Sequence, residues 1–188
     1  MRYPGLYAQI EAFRPGCEQE RTDRLRMLEQ MRLRDNLLSR VDPVMHFTAS
    51  SWIVSPDRRM ALLVWHELYR SWSWSGGHAD GEEDLLAVAV RETGEETGLE
   101  LIRPVLTEIF SLEILGVSGH IKKGAYISSH LHLNATYLLE ADPSAPLRPA
   151  PGETKEVAWF GMDRILSLSS EPHMLPIYRK LIEKTRAL

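Results

Sequence analysis

An α/β fold is predicted from three features of the sequence: β-branched and aromatic runs of strand length, a Glu- and Thr-containing helical segment set between them, and helix-patterned segments at both ends of the chain. From about Cys17 to Arg40 there is no Gly or Pro, and Leu25, Leu28 and Met31 recur at spacings suited to one helical face. Asp42-Pro43 then marks a turn, because the residue before a proline is biased away from helix. The boundary is drawn there, giving an N-terminal helical extension over residues 1–44 and a main domain over residues 45–188. His46 to Val54 and Met60 to Leu68 predict a hairpin around the turn Pro56-Asp57-Arg58-Arg59. A helix is expected over Glu82 to Thr97, followed by strands from Leu106 to Leu115 and Leu131 to Leu139 on either side of a Gly-containing loop. Pro143 to Gly152 carries four prolines and reads as a surface loop, Val157 to Phe160 as a last short strand, and Pro176 to Leu188 as a short amphipathic helix.

The 188 residues suffice for one core with an appendage, and the net charge of -4 gives no general attraction to a polyanion. In the N-terminal segment Arg24, Arg26, Arg32 and Arg34 interleave with Glu18, Glu20, Asp23, Glu29 and Asp35, the pattern of a solvated, salt-bridged face and not of a nucleic-acid surface. A lone Cys17 excludes an internal disulfide framework and fits a reducing compartment. No apolar run reaches the roughly 18 residues of a membrane span, and no signal-peptide pattern opens the chain. A cytoplasmic protein without a nucleic-acid or membrane partner is therefore expected.

The chemistry concentrates in Gly76-Gly77-His78-Ala79-Asp80-Gly81-Glu82-Glu83 and its continuation, Arg91-Glu92-Thr93-Gly94-Glu95-Glu96-Thr97-Gly98-Leu99. Asp80 with Glu83 resembles a capping box, and Gly98 is placed to end the helix in the left-handed region. At about 100° per residue, Glu92, Glu95 and Glu96 share one face. Carboxylates at these spacings repel, and they lie near the negative end of the helix dipole. Arg91 can hold one of them through a fork of donors, but one guanidinium does not balance three charges. A hard divalent cation with oxygen ligands does, and magnesium is the usual choice where phosphate oxygens complete the shell. Gly76-Gly77 is read as a sharp backbone turn that lets a ligand approach closely, with Trp72-Ser73-Trp74 as strand positions leading into it.

Together these residues resemble the signature of the Nudix hydrolase family: Gly, five residues, Glu, seven residues, Arg-Glu, an apolar residue, any residue, Glu-Glu, any residue, Gly, apolar. Gly77, Glu83, Arg91, Glu92, Glu95, Glu96, Gly98 and Leu99 fill the specified places. Thr93 departs from the pattern where an aliphatic residue is usual, and its hydroxyl should cost packing unless it bonds back to a carbonyl one turn earlier. Ser75 departs where many relatives have proline. The resemblance extends over roughly residues 45–188 and implies an α/β/α sandwich with a mixed sheet.

It also implies magnesium-dependent hydrolysis of a phosphoanhydride in a nucleoside diphosphate linked to another moiety. In that reading Glu92, Glu95 and Glu96 hold magnesium, with manganese as the alternative ion and the Gly76 carbonyl as a further ligand. Arg91 holds Glu92 in place, while Glu83 is an outer-shell or helix-start residue. The metal polarises phosphate oxygens and activates a water that attacks phosphorus in line. Nudix relatives differ in where they keep the general base; the candidates here are Glu92 in the motif and Glu153 in the loop before the last strand, with an ordinary loop carboxylate as the alternative reading of Glu153. Gly77 and Trp72 are assigned to the substrate, with a core aromatic as the alternative reading of Trp72. Trp74 is read equally as a stacking or a core residue. His130 and His132 share a strand face, but without a third ligand near them in sequence they are read as ordinary strand histidines. Lys122 and Lys123 are read as keeping their loop soluble.

Two rivals use the same fold. A Nudix-type isomerase of isopentenyl diphosphate needs a cysteine in the core domain, whereas Cys17 lies in the extension. A non-catalytic nucleotide sensor tends to have eroded metal ligands, whereas this acidic motif is intact. The extension is left with three roles: covering a sheet edge, pairing with a second subunit in a homodimer, or closing over substrate.

Overall fold

The computed structural model describes residues 2–67, 70–122, 124–152 and 154–188. Helix α1 (Pro4–Ala12), which the sequence pattern did not reveal, has a proline in its first turn, where a missing N–H breaks no helical hydrogen bond. Helix α2 (Glu18–Leu33) is shorter than expected; the chain from there to the first strand is turned, with Ser39 and Asp42 donating to the Asn36 and Ser39 carbonyls. Strands β1 (Met45–Val54) and β2 (Met60–His66) form the expected antiparallel hairpin, in register at Ile53↔Leu62 and Val54↔Ala61. Asp57 organises its turn by accepting from the Ser55 hydroxyl and the Arg59 N–H, while Arg58 takes a positive φ of 58°.

Strand β3 (Ser71–Ser73) and strand β4 (Ser75–His78) lead into helix α3 (Leu85–Thr97). Strand β5 (Arg103–Pro104) is brief, and strand β6 (Ser111–Val117) starts later than the sequence pattern suggested. The glycine-containing loop is itself a small hairpin of β7 (His120–Lys122) and β8 (Ala125–Ile127), turning through Gly124 at φ 82°. Strand β9 (His130–Glu140), strand β10 (Thr154–Gly161), helix α4 (Ile165–Leu168) and helix α5 (Leu175–Arg186) complete the order. The Pro-rich segment expected as a loop contains no helix or strand among its described residues.

The chain divides into two compact units, interleaved in sequence. The first comprises Met1–Ser50, Gly77–Val88 and Thr107–Tyr137. Within it β6 pairs antiparallel with β9 from Ser111↔Thr136 to Val117↔His130. Helix α2 serves β6 as a substitute strand: Gln19 Nε2 donates to the Leu112 carbonyl at 2.9 Å, and the Asp23 carboxylate accepts the Ile114 N–H at 2.9 Å. These two side chains, one helical turn apart, satisfy backbone groups that an exposed strand edge would offer to another chain.

The expected solvated face of α2 is only partly so. Arg21–Glu18 and Arg26–Glu29 are exposed pairs, but Arg24 donates to the carbonyls of Ile10 and Glu11, and Arg32 to the Tyr7 hydroxyl. Arg24 thus satisfies the last carbonyls of α1, which lack partners within that helix. Beneath α2, Ser111 donates towards buried Glu20 and Glu113, and Glu113 also accepts from Asn134 and Thr136.

The second unit comprises Ser51–Gly76, Ala89–Leu106 and Leu138–Leu188. Its strands run in the order β10-β2-β1-β9-β5, using the C-terminal ends of β1 and β9, with β3 added to β2. Leu131 donates to the Val44 carbonyl in the first unit, and Ala141 to the Val54 carbonyl in the second. The offset between donor and acceptor is the same at both ends, so β1 and β9 run parallel beside antiparallel neighbours. The predicted α/β class with a mixed sheet is borne out. In this unit Trp52 is fully buried, stacks on Tyr178 with centroids 6.1 Å apart, and donates its indole N–H to Thr185 at 3.0 Å. That bond anchors α5 to the end of β1.

Candidate active site

Helix α3 begins at Leu85, not at Glu82. The Asp84 carboxylate accepts the Ala87 N–H at 3.1 Å and its carbonyl accepts from Val88, so Asp84, and not Asp80, is the N-cap. Asp80 and Gly81 make the preceding turn instead, with φ of 47° and 98°. Gly76-Gly77 is likewise not a turn: both residues are extended in β4, which pairs with β1. Paired glycines permit the bend expected there, but pairing with β1 holds them extended. Gly98 does end the helix as expected, at φ 72° and with its N–H on the Gly94 carbonyl. A Cβ there would stand 2.8 Å from that of Arg148.

Within the second unit the acidic side chains of α3 differ in setting. Glu96 is 6% exposed and accepts the Gly76 N–H at 3.1 Å. Glu92 has a side chain 19% exposed and is held by Arg91 at 2.9 Å, whereas Glu95 is 61% exposed with Arg91 Nε at 3.9 Å. The helix is seated by Thr93, whose hydroxyl donates towards the Ala89 carbonyl and the Ser51 hydroxyl, both at 2.8 Å. The expected back-bond one turn earlier is therefore present, and it resolves the cost of a hydroxyl at a fully buried position.

Glu83 precedes the helix and lies in the first unit. Its Oε1 accepts the Leu6 N–H at 3.0 Å, near the start of α1, where helical N–H groups lack partners. Trp72 packs edge-on against Trp65 and Phe160, with centroids 5.7 and 4.8 Å apart. Trp74 is buried against Tyr178 and belongs to the core. Glu153, Lys123 and the side chain of Lys122 lie outside the described residues. Next to Glu153, the Thr154 hydroxyl donates to the Glu96 carbonyl at 3.2 Å and accepts the Ala150 N–H at 2.8 Å.

In the first unit, His130 and His132 acquire the third partner that the sequence did not supply. His46 of β1 brings a ligand nitrogen within 4.8 Å of theirs, and the His78 ring lies 5.1 Å from that of His46 and 5.0 Å from that of His132. Burial, with the neighbouring imidazoles His78, His46, His130 and His120, drives His132 down to about 2, so its ring is neutral at ordinary pH. Burial lowers His46 as well. The only sequence signal was the His-Leu-His alternation; His46 and His78 are distant in sequence and join it through strand pairing.

A family model of the NUDIX domain matches residues 45–181, and the chain belongs to the Nudix family, whose members are in general pyrophosphohydrolases. Among solved structures it is similar to the Nudix hydrolase RenU from M. smegmatis, at 20% identity and a TM-score of 0.57, covering 76% of this chain and 87% of that one. It is also similar to the E. coli dihydroneopterin triphosphate pyrophosphohydrolase, at 11% identity and a TM-score of 0.55, covering 73% and 94%. The MutT protein from Methanosarcina mazei Go1 is similar at 16% identity and a TM-score of 0.54, covering 76% and 95%. These likenesses are of fold. The curated proteins contain no match to this chain. Among the described residues no helix is long and apolar enough to cross a membrane.

Proposed function

We propose that this chain is a magnesium-dependent pyrophosphohydrolase that cleaves a phosphoanhydride bond in a nucleoside diphosphate derivative, with residues 45–188 as the catalytic domain and residues 1–44 as a helical extension. The observation that carries the reading is Glu96: a carboxylate 6% exposed, held by the Gly76 N–H, on the helix that also bears Glu92 in the grip of Arg91. Burying a carboxylate is costly unless its charge is compensated, which a bound cation would do.

The donor set fits magnesium, because it is made of hard oxygen ligands with one adjacent guanidinium to partner them. Glu92, Glu95 and Glu96 would hold the ion, with the Gly76 carbonyl as a further ligand; manganese would be accepted by the same donors. When bound, the ion supplies polarisation of the phosphate oxygens and a water of lowered pKa. Arg91 sets the orientation of Glu92, and the Gly76 N–H sets that of Glu96. Glu92 is a candidate general base, and Glu153 another. The bond from Thr154 to the Glu96 carbonyl supports Glu153, since it ties the neighbouring residue to the acidic end of α3. We assign Gly77, extended in β4, and the half-buried Trp72 to substrate binding. The lone, exposed Cys17 supports a reducing, cytoplasmic setting.

The test is hydrolysis of a panel of nucleotide sugars, dinucleoside polyphosphates, nucleoside triphosphates, dinucleotide cofactors and coenzyme A derivatives with and without magnesium, alongside Glu96→Gln. Cleavage that requires magnesium and falls at least about 100-fold in the variant is expected. Tight binding of one compound without cleavage would overturn the enzyme reading in favour of a nucleotide sensor.

A further inference from the structure

Outside the acidic helix, the first unit gathers histidines of three strands. Two lie on β9, His46 lies on the parallel neighbour β1, and His78 ends β4. The rings of His46, His130 and His132 are spaced 5.0 to 5.1 Å apart, and a ligand nitrogen of each lies within 4.8 Å of the others.

The hydrogen bonds fix which nitrogens turn inward. His130 Nδ1 faces the Ser128 carbonyl at 2.8 Å and His46 Nδ1 faces the Asp42 carbonyl at 3.3 Å. A carbonyl only accepts, so each Nδ1 carries the proton and each Nε2 presents a lone pair. His130 Nε2 meets His132 Nε2 at 3.2 Å. His46 is 5% exposed, and its Nε2 is buried with no hydrogen-bond partner among the described residues. An orphaned buried acceptor is costly, and here it belongs to a cluster of nitrogens that one cation would satisfy together.

We propose that His46, His130 and His132 form a binding site for a borderline divalent transition-metal ion of the zinc class, distinct in ligand chemistry from the carboxylates of α3. Two nitrogens on one tetrahedral zinc at about 2.05 Å stand roughly 3.3 Å apart, close to the observed His130–His132 separation. Imidazole donors suit zinc, copper, nickel or iron, whereas magnesium and calcium take oxygen. The carbonyls of Asp42 and Ser128 orient the ligands from behind, as outer partners do in metal sites. Three protein ligands leave a coordination position open, and His130 and His132, neither of them fully buried, give it access to solvent.

The experiment uses the full chain, stripped of metal and titrated with Zn2+ against a chromophoric chelator and, separately, with Co2+ by visible absorption. Wild type should take up tight Zn2+ and give the intense d–d bands of nitrogen-ligated, tetrahedral or five-coordinate cobalt. His130→Ala/His132→Ala should weaken Zn2+ binding by about 100-fold or more, while Glu92→Gln/Glu96→Gln should retain it. Circular dichroism checks that the histidine variant is folded; if it is not, the wild-type cobalt spectrum decides alone. Absence of that spectrum, or a folded histidine variant that binds Zn2+ as wild type does, or Zn2+ binding lost only in the carboxylate variant, would overturn the proposal. None of these readouts depends on hydrolytic activity.

Discussion

The carboxylate of Glu96 accepts the backbone N–H of Gly76 at 3.1 Å, so the last acidic position of α3 is tied directly to the glycine strand β4. Charge and hydrogen bonding can be separated at this position. Glu96→Gln keeps an acceptor oxygen and should leave the melting temperature near that of wild type while abolishing magnesium-dependent turnover. Glu96→Ala removes both and strands the Gly76 N–H, which should cost about 1–3 kcal/mol in urea unfolding. Equal stability loss in the two variants would show that the charge, and not the acceptor, matters for folding.

Arg91 should behave in the opposite way. Its contacts with Glu92 and Glu95 lie at a surface where ion pairs contribute little, so Arg91→Ala should change stability by no more than about 1 kcal/mol. Its role in orienting Glu92 should nonetheless appear in kcat, with a loss of about 10- to 100-fold. A change confined to KM would assign Arg91 to substrate binding instead.

Asp23 accepts the Ile114 N–H on β6, and Gln19 donates to the Leu112 carbonyl beside it. Asp23→Leu should destabilise the protein by about 1–3 kcal/mol, because a backbone donor is left unpaired beneath the helix. The Gln19→Leu/Asp23→Leu double variant should also expose a strand edge and self-associate with rising concentration, read by light scattering. A double variant that is as stable and monodisperse as wild type would show that α2 is held by apolar packing alone.

Glu171 sets a pH dependence of the fold. Burial raises its carboxyl above the ordinary value, against the opposing pull of His173 and Ser71. A carboxyl with a raised folded-state pKa contributes stability below its unfolded pKa and loses it as pH rises through the folded value. Glu171→Gln should therefore be more stable than wild type at neutral pH, with the difference shrinking as pH falls towards 4. Chemical unfolding of both proteins at several pH values checks the sign.

Much of this molecule was legible from its amino acids because the determining forces are local. The spacing of Arg91, Glu92, Glu95 and Glu96 on a helix, the left-handed end at Gly98 and the β1–β2 hairpin all follow from backbone geometry within a few residues. The back-bond of Thr93 was legible for the same reason, since its acceptor lies one turn away. Helix α1 was missed because its nine residues have weak amphipathic spacing and depend on partners elsewhere: Glu83 at its start and Arg24 at its end.

What the tertiary structure alone decided concerns groups distant in sequence. Pairing with β1 made Gly76-Gly77 extended and moved the turn to Asp80-Gly81. The polar side chains of α2 became partners of a strand edge, where charge interleaving had suggested a solvated face. The parallel alignment of β1 with β9 brought His46 to His130 and His132, which in sequence are only an alternating pair. Side-chain chemistry and short-range geometry are written along the chain, whereas strand partners and register arise from burying the sheet as a whole, so the coincidence of remote side chains appears only when the chain is folded.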